Sequence, residues 1–257
     1  MRILLVNDDG IEAPGLAALR AAVADMGPVT VIAPDTPQSA AGRSMTLDVP
    51  VACRHVRVAG RFPGIAVAGR PVDCVKLAMR ELMDDPPEML LAGINAGANV
   101  GVNVFYSGTV AAAAEGALFG VPSVAFSLAA GRATDFDPAA RVARWVLDGL
   151  LEDGLGPGDL INVNIPALWR GGPRGVRAVP QGTAAITETY QRTEDDDRGL
   201  LFKLAEYYEH HPQDGQTDVS VLAEGYVTVT PLHSDLTDVP RLRRLQGRRW
   251  GPPPGGQ

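Results

Sequence analysis

The sequence predicts an α/β protein in which a mostly parallel, doubly wound sheet lies between two layers of helices. Strand-like and helix-like segments alternate from residue 1 to about residue 170, the pattern of successive βαβ units with right-handed crossovers. One complete strand–helix–strand unit falls within the first 33 residues. Of the 257 residues, 46% are hydrophobic and 21% are charged, close to the average of folded domains. The chain can therefore bury a sizeable core, and disorder is excluded as its main state.

Turn and helix-start residues delimit the first βαβ unit. Arg2–Asn7 is an apolar run that stops at an acidic turn, and Val29–Ala33 is a second short apolar run, so both are predicted as buried strands. Between them, Pro14 suits the first turn of a helix and Gly27 ends it. The predicted helix has one apolar face, formed by Leu16, Leu19, Ala22, Val23 and Met26.

The alternation continues through the rest of the predicted core. Leu47–Ala68 interrupts it with extra strands that have no helix between them. In the last helix of the core, Trp145 stands at helical spacing from Val142 and close to Val146, so it is predicted to be buried. The remaining elements are predicted as helix Asp73–Met83, strand Met89–Ile94, helix Thr109–Phe119, strand Val121–Ser127, helix Pro138–Leu151 and strand Leu160–Ile165.

The chain changes character after this series, where Gly, Pro and Arg become frequent. Residues 1–170 are therefore predicted as the catalytic core and residues 171–245 as an extension. Within the extension, residues 183–209 alternate like a long β-hairpin, and strands near 225–232 complete the fold. Residues 246–257, which end in a Gly- and Pro-rich stretch, are predicted as a disordered tail.

The hairpin carries more apolar side chains than a solvated hairpin can expose. An isolated two-stranded hairpin is marginal in water, and a core with helices on both faces offers it little room. The sequence therefore predicts that the hairpin packs on another subunit, as part of a homo-oligomer. Its acidic run, Glu194–Asp197, is predicted as a solvated tip. The apolar side chains are Ile186, Tyr190, Leu200, Leu201, Phe202, Leu204, Tyr207 and Tyr208.

Charge and hydropathy exclude several classes of protein. The net charge of −7 argues against nucleic-acid binding, because a phosphate backbone needs cationic partners. No stretch approaches the ~18 consecutive apolar residues of a membrane span. The first apolar run, Ile3–Val6, is too short for a signal-peptide core, so the predicted location is the cytoplasm. Cys53 and Cys74 have no metal or disulfide spacing, and both are predicted as reduced, buried thiols.

Polar clusters follow the predicted strands. Asn7–Gly10 ends the first strand, Gln38–Ser39 and Gly42–Ser44 follow the second, and Asn95–Asn99 follows the strand that begins at Met89. In open parallel sheets, ligands bind at the carboxyl ends of the strands. These clusters are therefore expected to meet at one edge of the sheet.

The adjacent carboxylates of Asp8 and Asp9 are the strongest chemical signal. Capping and turn formation are their simplest roles, but two neighbouring carboxylates repel each other, and no Lys or Arg follows within ten residues. A divalent cation would relieve that repulsion. Ser39, Asn95 and Asn99 add oxygen donors without any His or Cys, which favours Mg²⁺, Mn²⁺ or Ca²⁺ over Zn²⁺.

A second polar segment, Tyr106–Thr109, leads into a predicted helix. Ser107 there is either an ordinary helix cap or part of an anion site, because the free N–H groups of a helix start face a bound anion. No Walker motif or dinucleotide-binding glycine motif is present. A carboxylate-held cation beside such a cradle predicts hydrolysis of phosphate esters. The predicted phosphate contacts are Asn95, Gly97, Asn99, Ser107, Gly108 and Thr109.

Several segments carry a specific resemblance to a known family. The chain resembles the SurE (survival protein E) family from residue 1 to about residue 239, with the motifs in unchanged order. The matching segments are Ile3–Gly10, Pro71–Leu77, Ala92–Asn99, Tyr106–Val110, Ala114–Gly116, Asn162–Pro166 and Gly225–Pro231.

The resemblance implies a metal-dependent 5′/3′-nucleotidase with a Rossmann-like core. It also implies a C-terminal extension that is exchanged between the subunits of homodimers or homotetramers. Arg70 and the pair Val102–Asn103 depart from the family pattern near the mouth of the site, which affects the expected substrate preference. The ligands implied for one Mg²⁺ or Mn²⁺ ion per subunit are Asp8, Asp9, Ser39 and Asn95.

The leading hypothesis is a phosphatase of nucleoside 5′-monophosphates in which Asp8 or Asp9 orients an attacking water. An aspartyl-phosphate intermediate on Asp8 is the alternative mechanism, but that chemistry usually comes with separated acids and a nearby lysine. The alternative function is a non-catalytic nucleotide-binding regulatory protein, which the same fold permits.

Overall fold

A nine-stranded sheet forms the centre of the computed structural model. The structure describes residues 1–130, 135–167, 172–183, 186–193, 199–210 and 215–251. The strands of the main sheet and of a separate hairpin, β9–β10, are β1 (Ile3–Val6), β2 (Val29–Pro34), β3 (Cys53–Val58), β4 (Phe62–Val67), β5 (Met89–Ala96), β6 (Ser123–Leu128), β7 (Leu160–Ile165), β8 (Val176–Ala178), β9 (Ile186–Arg192), β10 (Phe202–His210) and β11 (Val227–Leu232). The helices are α1 (Pro14–Ala22), α2 (Pro71–Leu77), α3 (Gly108–Leu118), α4 (Phe136–Asp153), α5 (Asp218–Ala223) and α6 (Val239–Gln246).

The strand order of the main sheet is β3-β4-β2-β1-β5-β6-β7-β11-β8. The six strands from β4 to β7 are parallel, whereas β3 pairs antiparallel with β4 and β11 pairs antiparallel with β7. The chain runs outward from β1 through β2 and later returns to β5 on the other side of β1. Strands β1 and β5 therefore flank the switch point of a doubly wound sheet, where such folds bind their ligands.

Two layers of helices cover the sheet. Helices α1 and α4 contact each other on one face, and α2 and α3 contact each other on the other. Alternate residues of β1 point to opposite faces, as the two-residue period of a strand requires: Ile3 and Leu5 join the core under α1 and α4, and Leu4 and Val6 join the core under α2 and α3. The predicted three-layer α/β/α architecture is confirmed.

Helix bounds differ from the predicted ones by a few residues. Helix α1 ends at Ala22 and gives way to a turn before Gly27, so the prediction was four residues too long. Helix α2 begins at Pro71, two residues earlier than predicted, and continues as a π-helical turn, Ala78–Leu82. Helix α4 is longer than predicted by two residues at each end.

The burial predicted for Trp145 was wrong, because this side chain is 54% exposed. Helix α4 buries Ala139, Ala140 and Ala143 against the sheet, and at 100° per residue Trp145 lies nearly opposite Ala143. The small alanines let the helix approach the sheet closely, which a search for large apolar residues overlooks.

The prediction for the cysteines was half right. Cys74 is buried in α2, and burial holds the pKa of its thiol well above the ordinary value. Cys53 is exposed because it opens the edge strand β3.

The C-terminal part of the chain contributes to the main sheet and forms a separate hairpin. Strand β11 pairs with both β7 and β8, while β9 and β10 form a two-stranded sheet of their own. The predicted tip Glu194–Asp197, the tail from residue 252 onward, and the side chains of Ile186, Tyr207 and Tyr208 lie outside the described residues. None of the helices in the described ranges is long and apolar enough to cross a membrane.

Candidate active site

A cavity of about 680 Å³ opens at the carboxyl ends of β1 and β5, at the switch point of the sheet. Polar loops from the first half of the chain form most of its wall, and the hairpin contributes two side chains. The cavity is lined by Asp8, Asp9, Ser39, Ala40, Asn95, Ala96, Gly97, Ala98, Asn99, Asn103, Tyr106, Ser107, Tyr190 and Leu204.

The start of α3 lies against Asp8. The Thr109 hydroxyl donates a hydrogen bond to Asp8 Oδ1. A Cβ placed on Gly108 would lie 2.7 Å from Asp8 Cβ and 2.8 Å from Asp8 Oδ2. Only glycine therefore allows the helix to approach this carboxylate so closely.

Burial dominates the electrostatics of Asp8, which is 5% exposed. Desolvation raises the pKa of Asp8 to about 6, the hydrogen bond from Thr109 opposes the rise, and the neighbouring charge of Asp9 adds to it. Burial also raises the pKa of Asp9, against a hydrogen bond from the backbone of Ala96. The charged forms of two neighbouring carboxylates are thus destabilised side by side.

Backbone hydrogen bonds fix the loops around the acidic pair. Ala96 N–H donates to Asp9 Oδ2 at 3.0 Å, and Gln38 N–H donates to the Asp8 carbonyl at 2.7 Å. The first bond joins the ends of β1 and β5, and the second brings the segment that carries Ser39 to the same edge of the sheet. Asn95 Nδ2 donates to the Gly97 backbone carbonyl at 2.8 Å. The side-chain amide oxygen of Asn95, Oδ1, is therefore the group able to ligate a cation.

All four residues implied as metal ligands line this one cavity. Asp8 and Asp9 come from the end of β1, Asn95 from the end of β5, and Ser39 from the exposed segment after β2. The described residues contain no cluster of three or more His, Cys, Asp and Glu side chains. The donor set is therefore two carboxylates with amide and hydroxyl oxygens, which suits a hard cation such as Mg²⁺ or Mn²⁺.

The predicted phosphate contacts divide into two groups. Asn95, Gly97, Asn99 and Ser107 line the cavity. Gly108 and Thr109 lie behind Asp8 instead, and the backbone N–H of Thr109 is directed at the Asp8 carboxylate. Ser107 is the N-cap of α3, where its hydroxyl accepts a hydrogen bond from Val110 N–H at 3.1 Å.

Asn103 and Tyr106, from the turn between β5 and α3, also line the cavity; the sequence placed both near the site without predicting either as a ligand or phosphate contact. The sequence did not predict Tyr190 and Leu204, which are cross-strand partners in the hairpin, as part of the site. The apolar character of the hairpin was the one available signal, and it was assigned to a subunit contact. No local pattern indicates that this hairpin reaches a loop more than 80 residues earlier in the chain.

The fold and the cavity define a doubly wound α/β protein with an acidic, oxygen-rich pocket at its switch point. The family model described as "Survival protein SurE" matches residues 3–188. A 5′-nucleotidase SurE from Syntrophobacter fumaroxidans is 44% identical over 237 residues, or 92% of this chain and 95% of the relative. A 5′-nucleotidase SurE from Rhodopirellula baltica is 44% identical over 238 residues, which is 92% of this chain and 94% of the relative.

A solved structure agrees with these relatives. The SurE protein from Aquifex aeolicus is 37% identical and superposes with a TM-score of 0.79, covering 96% of this chain and 100% of that chain. This chain belongs to the SurE family, which confirms the resemblance seen in its motifs.

Proposed function

We propose that this protein is a metal-dependent 5′-nucleotidase that hydrolyses nucleoside 5′-monophosphates to nucleoside and phosphate. The observation that carries the proposal is the pair Asp8 and Asp9, which lines one cavity together with Ser39 and Asn95. Relatives that match more than nine-tenths of the chain are named 5′-nucleotidase, which supports the same reaction.

One divalent cation per subunit, Mg²⁺ or Mn²⁺, fits this donor set, with Asp8, Asp9, Ser39 and Asn95 as its holders. When bound, such an ion supplies Lewis-acid chemistry and a template for the phosphate group. The raised pKa values of both aspartates support this assignment, because a cation would offset the cost of burying two like charges.

The chain's own groups would position the reactants. One of the two carboxylates orients a water and accepts its proton as the water oxygen attacks phosphorus. The bond from phosphorus to the 5′ oxygen breaks, that oxygen takes up a proton from solvent as the nucleoside leaves, and the carboxylate returns its proton to solvent. The N–H groups of Gly97 and Asn99 donate to the Leu128 carbonyl and to Asn164 Oδ1. We therefore assign the backbone N–H of Ala98, in the cavity lining, to the charge on the remaining phosphate oxygens.

Three apolar or aromatic side chains in the cavity lining suit a nucleoside. Tyr106, Tyr190 and Leu204 present aromatic and aliphatic surface to the cavity and are 48%, 62% and 38% exposed. Any nucleobase can stack on an aromatic side chain, because every base has a π-face. A cavity of about 680 Å³ is also much larger than a phosphate group requires.

We further propose that the protein is a homo-oligomer, a dimer or a tetramer, through residues 171–245. Helix α6 buries none of its residues within the chain. Its apolar side chains, spaced three residues apart, form one exposed face: Val239, Leu242 and Leu245, which are 46%, 41% and 37% exposed. A second copy of the chain would cover this face.

Phosphate release is the direct test of the proposed reaction. We expect the purified protein to release phosphate from AMP and GMP with Mn²⁺ or Mg²⁺, and not after treatment with EDTA. AMP binding without any phosphate release would instead favour the non-catalytic nucleotide-binding protein.

The attacking group is tested by a single turnover in ¹⁸O-labelled water. Attack by water places the label directly in the released phosphate. Label recovered in the Asp8 carboxylate would reveal an aspartyl-phosphate intermediate and overturn the proposed mechanism.

A further inference from the structure

Part of the cavity lining is a backbone segment that we call the 97–103 loop. It connects the end of β5 to the short 3₁₀ turn Gly101–Phe105 and lines the cavity through Gly97, Ala98, Asn99 and Asn103. In the proposed reaction this loop supplies Ala98 N–H to the phosphate and lines the cavity together with Asp8 and Asp9. Its position relative to Asp8 and Asp9 must therefore be held closely.

Side chains from β6 and β7 hold the middle of the loop. Asn164 Oδ1 accepts a hydrogen bond from Asn99 N–H at 2.7 Å, and Asn162 Nδ2 donates to the Asn99 carbonyl at 2.8 Å. The side chain of Asn99 donates to the Ser127 hydroxyl at 2.8 Å. All four residues are buried, so these bonds anchor the loop to the sheet.

Two side chains from the C-terminal part of the chain hold the end of the loop at Gly101. Asp218 Oδ2 accepts a hydrogen bond from Gly101 N–H at 2.9 Å, and Gln181 Nε2 donates to the Gly101 carbonyl at 2.8 Å. Gly101 has a φ of +58°, a left-handed conformation. Both backbone polar groups of this residue are thus satisfied by side chains 80 and 117 residues away in sequence.

The Asp218 carboxylate is buried completely, with a relative exposure of 0%. Its other oxygen, Oδ1, accepts hydrogen bonds from Gly182 N–H at 2.7 Å and Val219 N–H at 2.9 Å. A buried carboxylate carries a large desolvation cost unless such donors satisfy it. Capping of α5 does not explain Asp218, because Thr217 and Ser220 already form a capping box at that helix start.

We propose that Asp218 and Gln181 are positioning residues that hold Gly101, and with it the 97–103 loop, in register with Asp8 and Asp9. This inference rests on the proposed nucleotidase function. It makes the C-terminal part of the chain a determinant of the geometry of the site, although neither side chain lines the cavity.

The test compares Asp218→Asn with Thr217→Ala. The asparagine keeps one oxygen for Gly182 and Val219 and presents an N–H₂ group to Gly101 N–H, so the tether is lost at nearly constant volume. We expect kcat for AMP to fall about tenfold or more with a smaller change in KM, and the stabilisation by Mn²⁺ to persist. Thr217→Ala weakens the same helix start without touching Gly101, and kcat should stay at the wild-type value.

Gln181→Met is the second variant, because it removes the donor to the Gly101 carbonyl at similar volume. It should also lower kcat, but by less than Asp218→Asn does. If Asp218→Asn does not fold, the kcat of Gln181→Met tests the inference by itself. A kcat in Asp218→Asn equal to that of Thr217→Ala, or an unchanged kcat in Gln181→Met where that variant alone folds, overturns the inference.

Hydrogen exchange gives a readout that does not depend on activity. Amides of residues 97–103 should exchange faster in Asp218→Asn, or in Gln181→Met, than in Thr217→Ala. If the wild-type protein hydrolyses no nucleotide, the proposed function fails by itself, and the exchange measurement still decides the tether: unchanged exchange at residues 97–103 would exclude it.

Discussion

Among single residues, Asp8 has the most costly environment in the site. The residue is 5% exposed, and its carboxylate lies next to that of Asp9. The hydrogen bond from Thr109 offsets part of this cost. Sites that gain stability only when a ligand arrives often carry such strain in their ligand-free state.

The pH dependence of stability follows from the pKa of Asp8. Burial raises that pKa from 3.8 to about 6, so between these values the native state holds a proton that the unfolded state has lost. The contribution of Asp8 to the free energy of unfolding is therefore fully present below pH 3.8 and is lost as the pH rises through about 6. In EDTA, Asp8→Asn should gain stability over the wild type as pH rises from 4 to 7, by up to about 3 kcal/mol, measured by urea unfolding. A difference that stays constant with pH would contradict this prediction.

Metal binding should be visible in thermal unfolding. A cation bound only by the native state at a hundredfold excess over Kd stabilises it by about 2.7 kcal/mol. We expect Mn²⁺ to raise the melting temperature of the wild type and not of Asp9→Asn, which should also lose turnover. Asp153→Asn, an exposed carboxylate at the end of α4, is the matched control and should respond like the wild type. An equal rise in Asp9→Asn would place the ion elsewhere.

Among the elements, α3 and the β9–β10 hairpin both contribute to the site. Helix α3 meets Asp8 at Gly108. The hairpin brings Tyr190 and Leu204 into the cavity lining. The first contact is a close approach of backbone to carboxylate, and the second adds apolar surface.

Gly108→Ala should displace Asp8. The added Cβ would lie 2.7 Å from Asp8 Cβ, closer than packed atoms allow, so we expect a large loss of kcat and a lower melting temperature. Gly149→Ala in α4 is the control, because a Cβ there meets open space and should stabilise the helix by up to about 1 kcal/mol. Wild-type turnover in Gly108→Ala would mean that the position of Asp8 is not critical.

Tyr190→Ala should weaken binding of nucleotides selectively. Loss of one base–aromatic stack costs about 1–3 kcal/mol, so KM for AMP should rise about tenfold, whereas KM for ribose 5-phosphate, which has no base, should not change. Tyr190→Phe keeps the ring and should behave like the wild type. Equal losses on both substrates would remove the hairpin from base recognition.

At the scale of the whole molecule, the C-terminal part of the chain exposes a group of large apolar side chains. The hairpin exposes Leu200 and Phe202, which are 61% and 58% exposed, and the segment before α6 exposes Leu236, at 75%. Together with the apolar face of α6, these side chains leave more apolar surface in solvent than a stable monomer usually does.

Removal of residues 236–257 should therefore reduce the oligomeric state. Light scattering is expected to give at least a dimer for the full chain and a smaller species for the truncated one. Removal of residues 252–257 alone is the control and should leave the assembly unchanged. The truncated protein should still be stabilised by Mn²⁺, because the four proposed ligands precede residue 100. A full-length monomer at micromolar concentration would contradict the proposed assembly.

The sequence by itself determined the α/β class, the order of the elements and the edge of the sheet that carries the site. These follow from local patterns: apolar runs at strand length, helical spacing, and polar residues at the carboxyl ends of strands, such as Asp8 just after β1 and Asn95 near the end of β5. Parallel strands place their carboxyl ends together. The alternation of strands and helices therefore suffices to assign Asp8 and Asn95, which are far apart in the chain, to the same edge of the sheet.

Only the tertiary structure decided which side chains complete the site and which faces are covered. Trp145 points outward because alanines of α4 contact the sheet. Tyr190 reaches the cavity, and Asp218 holds Gly101 from 117 residues away. Such contacts depend on how the C-terminal segments fold back over the sheet, and no periodicity within a strand or helix encodes that distance. Local sequence specifies the elements, whereas packing between distant segments specifies the geometry of the site.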